Sequence, residues 1–263
     1  MTPGVVTVTT DSMQFPQRRR RFLLTPFWRV FNPSVTTIFL ICLAVYLVQI
    51  VADGLEFPPE YSFGNLLAYT FGLHWPLLSA GCFWQPVTYM FMHGSWLHLL
   101  LNMLSLLFVG SAVADLVGTR RFWSLYLLSG VIGGLGWMLF NWLEPAFWLR
   151  VQHLPGSIWM PLAQRWAESQ PVGAFGVCIG ASAAVFGVIG AFAALCPQRE
   201  LMVLLFFVIP MRLKARSLAL LLMILTVVQL IVGGGQVAYA AHLIGGIAGY
   251  LLGRRWRWMF VIR

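Results

Sequence analysis

Gly180-Ala181-Ser182-Ala183-Ala184-Val185-Phe186-Gly187 is the stretch on which the reading of this chain turns: a serine among small residues at the start of an apolar helix. A serine hydroxyl is a poor nucleophile at neutral pH. Its use requires an adjacent general base and donors for the oxyanion that attack creates. Residues of both kinds occur far away in sequence. His242 stands in Ala241-His242-Leu243-Ile244-Gly245, and His98 and Asn102 stand in His93-Gly94-Ser95-Trp96-Leu97-His98-Leu99-Leu100-Leu101-Asn102. Whether these groups meet depends on the fold.

Of the 263 residues, 59% are hydrophobic and 10% charged, and the mean hydropathy is +0.80. Such a balance lies outside the range of soluble globular domains and predicts an all-α polytopic membrane protein. The net charge of +9 does not indicate nucleic acid, because the basic residues form short clusters flanking long apolar runs, where they act as topology signals. Cys42, Cys82, Cys178 and Cys196 lack metal-ligand spacing. No small-residue cleavage site follows the first apolar run, so that run is expected to remain as a membrane helix rather than a signal peptide.

In chain order, residues 1–33 read as a basic, disordered cytoplasmic tail with an interfacial piece around Phe27-Trp28-Arg29. Residues 34–253 read as a six-helix domain and residues 254–263 as a second basic cytoplasmic tail. The spans are expected at about Ser34 to Val51, Ser95 to Val117, Phe122 to Trp142, Ser182 to Leu195, Leu218 to Val232 and Val237 to Leu252, against the roughly 20 residues that cross a bilayer. The segment 53–82 is broken by Pro58-Pro59, Gly64, Gly72 and Pro76 and reads as an outer loop. The segment 143–180 reads as a long outer connection with a short amphipathic helix around Ile158 to Glu168. Leu201 to Pro210 reads as interfacial.

Of 17 Lys and Arg residues, only Arg150 and Arg165 fall in the outer loops. The positive-inside rule then places both termini in the cytoplasm, with a bacterial inner membrane as the expected setting. In this arrangement Ser182, His242, His98 and Asn102 share one depth below the outer surface.

Each residue also has a plainer reading. A serine in a membrane helix commonly bonds a carbonyl one turn back. His242 would serve equally as a structural histidine or a proton relay, and His98 with Asn102, four apart on one face, as polar glue between helices. The neighbours favour the chemical reading. Ala241, Gly245, Gly249 and Gly253 recur every fourth residue, and Ala183, Gly187, Gly190 and Ala194 line the serine helix, so two smooth faces can pack closely and bring His242 to Ser182. Gly130 and Gly134 suggest a similar close approach on the third helix. His93, before the second helix, has a supporting role. A zinc site from His93, His98 and His242 lacks any nearby carboxylate, so no metal and no cofactor is expected. Cys82 and Cys178 both fall outside, where a disulfide is conceivable.

Taken together, Trp84-Gln85-Pro86-Val87-Thr88-Tyr89-Met90-Phe91-Met92-His93-Gly94, the His98 and Asn102 pair, Gly180-Ala181-Ser182, and Ala241-His242 with Gly245 and Gly249 resemble the rhomboid intramembrane serine proteases. The resemblance runs from about Phe83 to Gly253. It implies a six-helix rhomboid-like core and a Ser182/His242 dyad with no acidic third member. His98 and Asn102 would be oxyanion donors, and Phe186 would stack on His242. The expected partners are transmembrane protein substrates and the lipid bilayer, with no nucleic acid. Many relatives carry Trp-Arg where this chain has Trp84-Gln85, and Ala183 replaces a frequent glycine. Asp115 is expected to anchor a helix end. Two rivals are a catalytically inactive relative that binds membrane-protein clients, which would normally lack the serine or histidine, and a transporter, which would place charges at the bilayer midplane.

Overall fold

The first membrane helix, α1 (Pro33–Gly54), begins where its sequence dictates. The Asn32 side chain accepts from the Ser34 N–H at 2.9 Å as a cap, and Pro33 occupies the first helical position, where its missing N–H is no loss. In this computed structural model the described residues are 32–54, 63–152, 176–205, 209–232 and 238–261. The tail, the Phe27-Trp28-Arg29 piece and the Ile158 to Glu168 helix fall outside them.

Three short helices follow: α2 (Phe63–Phe71), α3 (Trp75–Ser79) and α4 (Gln85–Thr88), the last continuing into a 3-10 turn over Tyr89–Phe91. The outer segment that reads as a broken loop is thus partly helical. Its Pro76, and Pro86 beyond it, sit in the first turns of α3 and α4, positions a proline tolerates.

The second span, α5 (Trp96–Val117), contains a π turn over Leu106–Gly110. Near its end Asp115 accepts from the Asn32 side-chain amide at 2.6 Å, the expected anchoring role. The third, α6 (Thr119–Gln152), continues ten residues past its expected end. Pro145 forfeits only one bond, to the Asn141 carbonyl, and residues 146–152 contain no glycine or second proline to end the helix.

The serine helix α7 (Ser182–Leu195) has the expected bounds. A small antiparallel hairpin of β1 (Glu200–Leu205) and β2 (Ile209–Lys214), paired from Glu200 with Lys214 to Leu205 with Ile209, occupies the segment read as interfacial. Then come α8 (Ala215–Val232) and α9 (Tyr239–Val261). No breaker follows Gly253, so α9 runs on through Arg254 to Arg257 rather than ending in a tail there, and it buries Trp256.

Helices α1, α5, α8 and the Thr119–Leu143 part of α6 are each long and apolar enough to cross a membrane. The fold is that of a helical, polytopic membrane protein. At 14 residues α7 is about 21 Å long, short of the roughly 30 Å hydrocarbon core. It is surrounded by protein: from Ala183 to Leu195 only Phe186 and Ile189 escape full burial. A short central helix can therefore start inside the bundle, which sets Ser182 among the surrounding helices.

Candidate active site

Three helices meet around the start of α7 with almost no side chain between them. A Cβ added at Gly245 would collide with the Ala183 carbonyl, and one at Gly249 with the Gly187 carbonyl. The ridge of small residues on α9 therefore lies directly on α7. The third wall is α6, through a glycine that the spacing argument passed over. A Cβ at Gly133 would sit 2.7 Å from the Ala241 carbonyl and 2.9 Å from the Ala183 Cβ. Gly130 and Gly134 instead make room for side chains of the outer segment, Met90 at the first and Leu73 and Tyr89 at the second.

This packing brings His242 Nε2 to 2.6 Å from Ser182 Oγ. The His242 ring is held on two sides. Phe186, one turn after the serine, stacks on it at 4.5 Å with the planes 12° apart, and Tyr239 presents its edge at 6.3 Å. Ala181, the cap position of α7, supplies no side-chain acceptor, so the first N–H groups of α7, including that of Ser182, keep the positive end of the helix dipole open toward the site.

The approach to Ser182 is a strip clamped from both directions. Leu73 and Cys178 exchange two backbone hydrogen bonds of 2.9 Å, and the Gly180 N–H donates to the Tyr89 carbonyl at 2.8 Å. Gly180 has φ of +124°, a conformation that other residues rarely adopt, and a Cβ there would stand 2.6 Å from the His98 ring. Gly180 thus lets the imidazole lie against the chain two residues before Ser182. Tyr89 anchors the strip in turn, its hydroxyl donating to the Gly130 carbonyl at 2.6 Å.

Helix α5 opens with a Ser95 cap: the His98 N–H donates to the Ser95 hydroxyl at 3.2 Å, which fixes His98 in the first turn. Asn102 is buried, and one of its amide N–H groups donates to the His98 carbonyl at 3.0 Å. His93 is 1% exposed, lies edge-on to the His98 ring at 5.2 Å, and donates from Nδ1 to the Phe91 carbonyl at 3.3 Å. Burial, and secondarily the neighbouring His98, pulls the His93 pKa down from 6.5 to about 4, so the ring is neutral at physiological pH.

Two further contributors escape sequence reasoning. Gln49, buried in α1, bonds both backbone groups of His93: its carbonyl accepts from the His93 N–H at 3.1 Å and its amide donates to the His93 carbonyl at 3.2 Å. A lone amide in an otherwise apolar span was the available signal. Gln85 is wholly buried; its amide donates to the Tyr69 and Thr70 carbonyls and its oxygen accepts from the His74 N–H. A neutral amide thus holds the outer segment together. All four cysteines are free, so the conceivable Cys82–Cys178 disulfide is absent; Cys178 joins the outer segment through its backbone instead. Among the described residues no group of three or more His, Cys, Asp or Glu side chains could hold a metal.

Fold and site together define a polytopic membrane protein that holds a serine and a histidine side chain in contact within its helix bundle. The family model of the Rhomboid domain matches residues 80–258, and the chain belongs to the rhomboid family. It is 31% identical over 163 residues to Rhomboid protein 1, mitochondrial, of Saccharomyces cerevisiae (62% of this chain, 39% of that protein). It is 31% identical over 119 residues to Rhomboid-like protease 3 of Toxoplasma gondii (45% and 33%) and 25% identical over 112 residues to Rhomboid protease GlpG of Yersinia pestis (42% and 36%). The chain spans between a third and two fifths of the length of these relatives. One of them is mitochondrial, so family membership does not single out a bacterial inner membrane.

Proposed function

We propose that the chain is an intramembrane serine endopeptidase that hydrolyses peptide bonds in or near transmembrane segments of membrane-protein substrates, through a Ser182/His242 dyad and an acyl-enzyme. The observation that carries this reading is the 2.6 Å contact between Ser182 Oγ and His242 Nε2. With the proton on His242 Nδ1, the Ser182 hydroxyl donates to Nε2. As Oγ attacks the substrate carbonyl, that proton passes to Nε2, and the imidazolium then protonates the leaving amine. Neutral His242 next takes a proton from water, whose attack releases the acyl group. Among the described residues no carboxylate bonds His242; the stacked face of Phe186 orients the ring and favours its cationic form.

The oxyanion is held by the Ser182 N–H at the α7 N-terminus, with His98 and Asn102 as side-chain donors. His98 lies against Gly180, and Asn102 keeps a second amide hydrogen beyond the one given to His98. Gly180, Gly245 and Gly249 set the distances, while His93 and Gln49 position His98. In the six-span arrangement the basic loops and both termini lie on the cytoplasmic side, and the pair opens to the opposite side, which supplies water. Lateral access for a substrate is best assigned to α8, in which only Ala215 and Thr226 are buried, whereas the outer segment is pinned through Gln85, Leu73 and Tyr89. Purified protein in detergent or vesicles, incubated with a fluorescent transmembrane substrate, tests the reading: it should produce a discrete cut that Ser182→Ala abolishes.

A further inference from the structure

On the face of α7 turned away from α6 there is a groove of about 890 Å3 walled by α7, α8 and α9. Its sides are apolar: Gly190 and Ala193 of α7, Leu220 and Met223 of α8, and Ile247 of α9. One end is closed by Phe186 and Gly246, and at the other stand Arg216, Arg254 and Arg257. Among the described residues no acidic side chain lines the groove.

The arginines are placed by local structure. The Arg216 N–H donates to the Pro197 carbonyl at 3.2 Å, which ties the start of α8 to the end of α7. Arg254 and Arg257, three apart, share a face of α9, whereas Arg255 lines a separate cleft with Ile132 and Ile244. From Gly246 to Arg257 the helix rises about 16 Å, the depth of one leaflet. The groove is thus apolar over one leaflet and cationic at the cytoplasmic interface, where phosphates lie.

We propose that this groove binds one anionic phospholipid from the cytoplasmic leaflet, with its phosphate on Arg216, Arg254 and Arg257 and an acyl chain along α7 toward Phe186. Guanidinium groups match phosphate oxygens in geometry as well as charge. A zwitterionic headgroup would bring its own cation toward three others. The chain's own N-terminal segment is a poor occupant, because residues 18–21 are all arginine. The arginine end of the site stands at the far end of the groove from Phe186, the ring that stacks on His242, and lipid occupancy is read by retention, without recourse to the protease reading.

The test uses the full chain in vesicles of equal parts phosphatidylcholine and phosphatidylglycerol, extracted in mild detergent, with retained lipid counted by native mass spectrometry. One phosphatidylglycerol should be retained in preference to phosphatidylcholine. Arg216→Gln, Arg254→Gln and Arg257→Gln should each weaken that retention about fivefold, the lysine variants should largely restore it, and Arg255→Gln, at the same depth but outside the groove, should leave it unchanged. Ala219→Trp, which narrows the groove with all charges intact, should reduce retention of both lipids. Glycerol phosphate added in solution should not displace the lipid; displacement would mean a bare phosphate site. Equal retention of the two lipids, or an Arg255→Gln effect as large as the other three, would overturn the proposal.

Discussion

The two sides of α7 are built on opposite plans. Toward α9 and α6 it presents Ala183 and Gly187, and the facing Gly245, Gly249 and Gly133 bring backbone against backbone. Toward α8 it meets long, flexible side chains such as Met223 and Leu220 across an open groove. Without a hydrophobic driving force between helices in lipid, close van der Waals contact is what holds helices together, and small residues are what permit it. The first interface therefore fixes a distance, that from Ser182 to His242, while the second leaves α8 mostly unburied and loosely packed. Positional accuracy and adaptability have been assigned to different faces of one short helix.

Closing the tight side by force should have the largest effect. Gly249→Val places a side chain into the Gly187 carbonyl, where only backbone can yield, so its destabilisation should reach or exceed the upper end of the 1–3 kcal/mol typical of overpacking. Thermal unfolding in detergent and substrate cleavage should both collapse. Next comes Gly180→Ala, which combines left-handed strain with a collision at the His98 ring. Cleavage should fall at least about tenfold, corresponding to the 1–2 kcal/mol of that strain, with little change in helical content.

Gln49→Leu probes how far the accurate region extends. It leaves the buried N–H and C=O of His93 without partners, at about 1–3 kcal/mol for an unsatisfied group. Unfolding temperature should drop, and kcat should fall more than KM rises, since Gln49 acts through His93 and His98 rather than on substrate. If KM alone changes, Gln49 belongs to substrate binding instead.

His93 gives the comparison a pH axis. Its folded pKa of about 4 lies below the ordinary 6.5, so between these values the unfolded chain binds the extra proton and stability rises with pH. Acidification from pH 6.5 toward 4 should remove up to about 3 kcal/mol. His93→Gln should flatten that part of a stability–pH curve. The smallest effect is expected on the loose side. Thr226 bonds only the Leu222 carbonyl of its own helix, so Thr226→Val in α8 should shift stability by no more than about 0.5 kcal/mol. A loss comparable to that of Gln49→Leu would show that α8 is held as firmly as α9.

The legible parts of this molecule were those written in local pattern. Apolar length gave α1, α5, α8 and the crossing part of α6, a serine among small residues gave the start of α7 to the residue, and the four-residue spacing on α9 gave its contact with α7. What stayed hidden depends on partners that carry no pattern. Gln49 meets the backbone of a residue 44 positions away, and backbone groups leave no trace in sequence. Gly133 stays hidden because the four-residue spacing belongs to Gly130 and Gly134, whose face accommodates Met90 and Tyr89. The helical continuations past Pro145 and Gly253 stayed hidden because the apolar runs end at Trp142 and Leu252, although neither the one hydrogen bond lost at Pro145 nor the basic residues from Arg254 to Arg257 stop a helix. The Glu200–Lys214 hairpin was hidden in a short apolar run, where strand and interfacial segment look alike.

The central claim is that packing between α7 and α9 makes Ser182 and His242 a single reactive unit. Labelling of the purified protein by a fluorophosphonate, alongside cleavage of a transmembrane substrate, tests it directly in wild type, Ser182→Ala and His242→Ala. The account predicts labelling at Ser182 in the wild type only, and cleavage reduced about a thousandfold or more in both variants. Cleavage that survives Ser182→Ala, or labelling of Ser182 that persists undiminished in His242→Ala, would contradict it.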